Sequence, residues 1–297
     1  MSDNIRVGLI GYGYASKTFH APLIAGTPGM ALAAVSSSDA AKVHADWPSV
    51  PVVSEPKHLF NDPNIDLIVI PTPNDTHFPL AKAALEAGKH VVVDKPFTVT
   101  LSQARELDAL AKSLGRLLSV FHNRRWDSDF LTVKRILSEG TLGEILFFES
   151  HFDRFRPQVR NRWREQAGPG SGIWYDLAPH LLDQAVNLFG LPVSMTVDLA
   201  QLRPGAQTTD YFHAVLSYPQ RRIVLHGTMV AAAESARYII HGTRGSYVKF
   251  GLDPQEDRLK NGERLPQEDW GYDMRDGVVT RVEGEELVEE ALLTIPG

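Results

Sequence analysis

The stretch Val91–Phe97, VVVDKPF, sets an acid, a lysine and a proline directly after three valines. A buried strand does not normally end on charge, so Lys95 is a candidate for chemistry at a strand's carboxyl end. Pro96 after it fixes φ and helps aim that end. A lysine snorkelling at a sheet rim is the plainer alternative. Further along, Asp176 and His180 stand four apart in GIWYDLAPHLLDQAVNLFG. At helical pitch they share one stripe, either as a surface pair or as an acid/base pair. Leu177, Leu181, Leu182, Val186 and Leu188 are the candidate core positions of the same helix. The eleven histidines show no H-x-x-x-H or similar ligand spacing with a carboxylate partner, so no metal is expected. Cysteine is absent, which excludes disulfides, thiolate catalysis and Cys-ligated zinc.

The first half alternates strand and helix. IRVGLIGYG, MALAAVSSS, IDLIVIPTP, HVVVDKP and RLLSVFHN read as strands, with helical segments between them. Repeated β-then-α units imply an α/β fold, a doubly wound parallel sheet with right-handed crossovers. Ligands in such folds bind at the carboxyl ends of the strands. The first such end is GYGYAS. Gly11 can make the tight turn and Gly13 lets a pyrophosphate approach the backbone and the helix start. Ser16 replaces the third glycine of the dinucleotide fingerprint, a tolerable small residue. Gly11, Tyr12, Gly13, Tyr14 and Ala15 are therefore candidate cofactor contacts. The second strand ends VSSSD. Ser36 and Ser37 with the nearby Lys42 suit a 2′-phosphate better than a carboxylate would, favouring NADP, with NAD possible. Asp39 reads as the N-cap of the next helix.

After HNRRW the rhythm changes to long strands interrupted by the helix that carries Asp176 and His180. Short turns between these strands suggest a second, α+β domain with a large open, mostly antiparallel sheet. The boundary is placed at His122, giving a Rossmann domain over 1–122 and a substrate-binding and oligomerisation domain over 123–297. A formal net charge of −6 argues against nucleic acid. No apolar run reaches the length of a membrane span, and the N-terminus lacks the charged region of a signal peptide. These readings give the expectation of a cytoplasmic protein.

The combination of GLIGYG, PTPNDTH, DKP and GSGIWYDLAPHLLD, in that order, resembles the Gfo/Idh/MocA oxidoreductases over nearly the whole chain. FHNRRWDSDFLTVKRIL and RFRPQVRNRWRE are similar to the NADP-dependent scyllo-inositol dehydrogenase branch. The family's usual Glu-Lys-Pro is Asp94-Lys95-Pro96 here, one methylene shorter. The resemblance implies that Lys95 lies beside the nicotinamide and stabilises negative charge on a substrate hydroxyl, that His180 takes its proton, and that Asp176 orients the substrate. It also implies cofactor contacts from Asp94, from the loop carrying Pro71, Thr72, Asn74 and His77, and from Asn123, Trp163 and Arg164. Arg124, Arg125 and Arg162 are read mainly as ion-pair partners. The implied activity is hydride transfer between NADP or NAD and a secondary alcohol of a cyclic polyol or sugar. An NADP-binding regulator and an NAD-dependent glycoside hydrolase are the alternatives. The leftover sheet face implies a homodimer or homotetramer. Family members usually continue past LLTIPG with further helices, so the chain is expected to be a shortened version.

Overall fold

The computed structural model describes residues 4–265 and 267–297. They form two compact units, one of residues 4–121 with 256–265 and 267–268, the other of 122–255 with 269–297. No helix among the described residues is long and apolar enough to cross a membrane.

The first unit is built on six parallel strands: β1 (Ile5–Ile10), β2 (Met30–Ser36), β3 (Val52–Val53), β4 (Leu67–Ile70), β5 (His90–Val93) and β6 (Leu118–Val120). Their order is β3-β2-β1-β4-β5-β6, with parallel pairing throughout. Helices α1 (Ala21–Gly26), α2 (Ala40–His44), α3 (Pro56–Asn61), α4 (His77–Glu86) and α5 (Leu101–Ser113) make the connections. A sheet covered on both faces needs strands that are apolar throughout. The run LIVI of β4 is buried at every position, as are Val7, Gly8, Leu9 and Ile10 of β1. The strand order reverses between β1 and β4, which is where such folds open a ligand crevice at their carboxyl ends. The loops after β1, β2, β4, β5 and β6 all leave from that edge.

Sequence reading gave everything beyond His122 to the second domain. The structure instead returns residues 256–268, including most of α8 (Gln255–Lys260), to the first unit. Leu265 packs so tightly on Gly26 that a Cβ added at Gly26 would stand 2.8 Å from the leucine Cβ. Nothing local in the sequence announces this return, because it depends on a contact made across more than two hundred residues.

The second unit opens with α6 (Ser128–Ser138), β7 (Ile145–His151) and α7 (Ile173–Phe189). The strands β8 (Ser194–Ala200), β9 (Tyr211–Ser217), β10 (Arg222–Thr228), β11 (Ala236–Gly242), β12 (Gly245–Phe250), β13 (Gly277–Glu283) and β14 (Glu286–Leu292) complete it. Its eight-stranded sheet runs β14-β13-β12-β11-β7-β10-β9-β8. Only β7 and β10 pair in parallel. The segment ARYIIHGTRGSYVKFG forms the antiparallel hairpin β11–β12, and β13 and β14 form a second one. One sheet face packs on α7. Leu177, Leu181 and Ala185 meet Phe148, Phe212, Leu216 and Leu225 in a single buried cluster, each buried leucine contributing about 1.5–3 kcal/mol. Val186, expected in that core, is 37% exposed.

Candidate active site

Within the first unit, the turn after β1 separates two kinds of glycine. Gly11 has φ +78°, a conformation that side chains with a Cβ rarely adopt. Gly13 has an ordinary φ, and a Cβ placed on it would meet nothing within 4 Å. Its carbonyl accepts from the Lys17 N–H at 3.0 Å, so it begins the helical run. The protein alone therefore gives no reason for glycine at 13. A ligand lying over the helix start does.

A cleft of about 450 Å³ continues from this turn, lined by Gly11, Tyr12, Gly13, Ser36, Ser37, Ser38, Asp39 and Lys42 among others. Tyr12 lines it with little more than backbone, since its side chain is 5% exposed and its hydroxyl donates to Asp46 at 2.9 Å. Burial, and then the Asp46 carboxylate, push that phenol well above its ordinary range. Tyr14 is 58% exposed beside the turn. Asp39 caps α2 by accepting from the Lys42 N–H at 3.0 Å, as expected of it. The Ser37 hydroxyl accepts from the Asp39 N–H at 3.1 Å. Ser16 is buried, and its hydroxyl has no hydrogen-bond partner among the described residues. An open helix start, a turn glycine at positive φ and a polar cleft fit a dinucleotide.

Pro71, Thr72 and Asn74 occupy the loop after β4. The hydroxyls of Thr72 and Thr76 meet at 2.6 Å. His77 departs from expectation. It is wholly buried, with Nδ1 2.8 Å from the Pro96 carbonyl and Nε2 2.9 Å from the Thr72 carbonyl. A cofactor cannot reach it directly; it ties the β4 loop to the β5 loop and so positions both. The Lys95–Pro96 peptide is cis. Asp94 accepts from the Lys95 N–H at 2.6 Å and pairs with His20 Nε2 at 3.2 Å. Burial opposes ionisation there, but the His20 hydrogen bond and the charges of His20 and Lys95 outweigh it and hold the carboxyl below its ordinary value. His20 is itself 3% exposed and lies against the Phe121 ring. Sequence reading missed His20; it lies in the helical run after the glycine turn, with no motif to mark it.

Within the second unit, Asp176 and His180 project from α7. Gly172 opens the helix with φ +85°, and a Cβ there would stand 3.0 Å from the backbone N and O of Thr209. That close approach lets the Ile173 N–H donate to the Thr209 carbonyl at 2.8 Å and fixes where the helix begins. Asp176 faces two guanidinium groups, Arg164 Nε at 3.5 Å and Arg154 Nη1 at 3.8 Å. His180 is 6% exposed and lies near the Phe152 ring, so the Asp176–His180 stripe is not a solvent-facing one. One turn on, Gln184 accepts from Arg237 at 3.2 Å and donates to the Arg124 carbonyl at 2.8 Å. Arg237 also pairs with Asp129 at 3.1 Å. This buried network sets the rotation of α7 and hence the aim of His180.

Arg124 pairs with Asp127, Arg125 with Asp183 through two bonds, and Arg162 with Glu165. Asn123 begins a short 3-10 turn next to Arg124. Trp163 is 38% exposed, with the Arg164 guanidinium 4.7 Å from its ring centroid. Sequence reading missed Arg203. Buried, it donates to Asp210, Glu165 and the carbonyls of Arg156 and Gln158, and so holds the arginine-rich loop that presents Trp163 and Arg164.

A six-stranded nucleotide-type unit and a second unit with an open mixed sheet are the two parts of a known class of oxidoreductase. Residues 5–122 match the NAD-binding Rossmann fold, and residues 134–294 the C-terminal alpha/beta domain, of the Gfo/Idh/MocA oxidoreductases. The chain belongs to that family, and it is a nicotinamide-dependent oxidoreductase. It is 88% identical over its whole length to the uncharacterized oxidoreductase YdgJ of Escherichia coli, covering 86% of that protein. It is 39% identical to the NADP(+)-dependent scyllo-inositol 2-dehydrogenase IolW of Bacillus subtilis, over 99% of this chain and 83% of the relative. An oxidoreductase crystal structure from Bacillus cereus superposes with a TM-score of 0.91 at 33% identity, over 99% of this chain and 85% of that one.

Proposed function

We propose that the chain interconverts a secondary alcohol and a ketone on a cyclic polyol or sugar of the inositol type, with NADP as its preferred cofactor. One observation carries the cofactor preference. The cleft beyond β2 offers serine hydroxyls and Lys42, and its acid, Asp39, has an oxygen committed to capping α2. An NAD site uses a carboxylate there to grip the ribose hydroxyls. The relative named as an NADP(+)-dependent scyllo-inositol dehydrogenase supports both cofactor and substrate class.

When bound, the nicotinamide accepts or returns the hydride. The chain's own residues do the rest. Gly11 and Gly13 receive the pyrophosphate, and Ser36, Ser37 and Lys42 the 2′-phosphate. His180 takes the hydroxyl proton, a role suited to imidazole because its ordinary pKa lies near neutrality. Lys95 supplies positive charge to the oxygen as that proton leaves. Asp176, held between Arg154 and Arg164, accepts from a neighbouring hydroxyl and fixes the ring's orientation. The test is a panel of inositols and sugars with each nicotinamide, followed by reduced-nicotinamide absorbance. Ser37→Asp is expected to reverse the preference by repelling the 2′-phosphate. Tighter binding of NAD than of NADP by the unaltered protein would overturn the cofactor assignment. Silence across the polyols with turnover on another alcohol would overturn the substrate class.

A further inference from the structure

The sheet face turned away from α7 carries a line of imidazoles. His151 of β7, His226 of β10 and His213 of β9 are register partners across adjacent strands. Asp153, two residues beyond the end of β7, reaches into the same place. One ligand atom each from His151, Asp153 and His226 lie within 4.8 Å of one another. Asp153 Oδ2 is 3.0 Å from His151 Nδ1, and Oδ1 is 3.6 Å from His226 Nε2. Two donors bound tetrahedrally at about 2.1 Å from one ion stand roughly 3.4 Å apart, so both distances bracket that spacing.

Two further features separate this trio from a chance surface cluster. His151 Nε2 is 2.7 Å from Glu149 Oε1. A ligating histidine characteristically donates its other ring N–H to a carboxylate, which fixes the tautomer and raises ligand basicity. Asp153 Oδ1 also accepts from the Thr228 N–H at 3.2 Å, which anchors the carboxylate to the end of β10. The three side chains are only 8–18% exposed.

The geometry points to a binding site for a divalent transition metal, Zn(II) by ligand chemistry, held by His151, Asp153 and His226 with water completing the shell. Two imidazoles and one carboxylate suit zinc and its neighbours rather than magnesium or calcium. The ion would clip the ends of β7 and β10 together. Ligand spacing along the chain gave the opposite expectation, because His226 lies on another strand.

The test uses untagged, chelator-stripped protein titrated with Zn(II) alone by calorimetry, and with Co(II) alone by visible absorption. Saturable binding of one equivalent is expected, with Co(II) bands typical of a low-coordinate site. His226→Asn and Asp153→Asn are expected to weaken binding at least tenfold. Glu149→Gln, which removes no ligand, is expected to weaken it roughly 10- to 100-fold, and it covers the case in which a ligand variant does not fold. His241→Asn, an exposed histidine of the same face, serves as the control and is expected to bind like the parent. Failure to bind one equivalent, or equal affinity in the parent, His226→Asn and Glu149→Gln proteins, would overturn the assignment.

Discussion

The two turn glycines allow the cofactor's contribution to be separated from the fold's. At Gly11, alanine must adopt φ +78°, at a cost of about 1–2 kcal/mol, with no steric clash added, since the nearest atom to the new Cβ is Thr72 Cγ2 at 3.7 Å. Restricting the unfolded chain returns about 0.4–1 kcal/mol. Gly11→Ala is therefore expected to lower stability by about 1 kcal/mol, or roughly 2–4 °C in Tm for a protein of this size. Gly13→Ala meets open space at an ordinary φ, so only the unfolded-state gain remains, and Tm should hold or rise by up to about 4 °C. Cofactor binding should show the opposite ranking. A methyl group over the helix start intrudes on the pyrophosphate, and overpacking of that kind costs about 1–3 kcal/mol, a loss of roughly tenfold or more in NADPH affinity. Thermal melts with and without NADPH, together with fluorescence titration, read both quantities. A Gly13→Ala protein as stable as the parent that also binds NADPH as tightly would refute the placement of the pyrophosphate.

Lys95→Ala and His180→Ala are each expected to lower kcat by about two orders of magnitude or more while NADPH affinity changes little; near-full turnover in both would show the site to be misassigned. Asp94, whose pKa is depressed in the folded protein, contributes stability that is complete above the ordinary carboxylate pKa near 4 and is lost as pH falls through its lowered value. The Tm difference between the parent and Asp94→Asn should therefore shrink as pH falls below about 4, and a difference that persists undiminished at lower pH would contradict the stabilised Asp94 carboxylate. Phe250, Val278, Val282 and Leu287 lie on the open sheet face and are 40–72% exposed. We propose that a second copy covers this face, so light scattering at micromolar concentration is expected to give a dimer or tetramer mass; a monomer would count against it.

The strand-and-helix alternation and the glycine turn were legible because each is written in adjacent residues. β4 shows itself by four consecutive apolar side chains, and Gly11 by its place between a strand and a helix. Asp39 could be read as a cap because capping is local. What escaped was non-local. Nothing around His77 shows that two carbonyls, one of them nineteen residues away, fill both its ring nitrogens. Arg203 and Arg237 look like surface arginines until Asp210 and Asp129 are brought beside them. The β13–β14 hairpin turns at Gly284 amid glutamates, and its strands are mostly exposed, so burial left no pattern to read.

The return of residues 256–268 to the first unit bears on how the protein is made. Synthesis runs from the N-terminus, and the six strands of the parallel sheet have all left the ribosome once residue 120 has emerged. The partner that fills the space beside Gly26 does not exist until Leu265 has been added. Through the making of the intervening hundred and more residues, the nascent nucleotide unit carries an uncovered patch at α1. The first unit to begin folding is thus held incomplete until most of the second has been translated, and cutting the chain after Phe121 would leave it permanently at that stage.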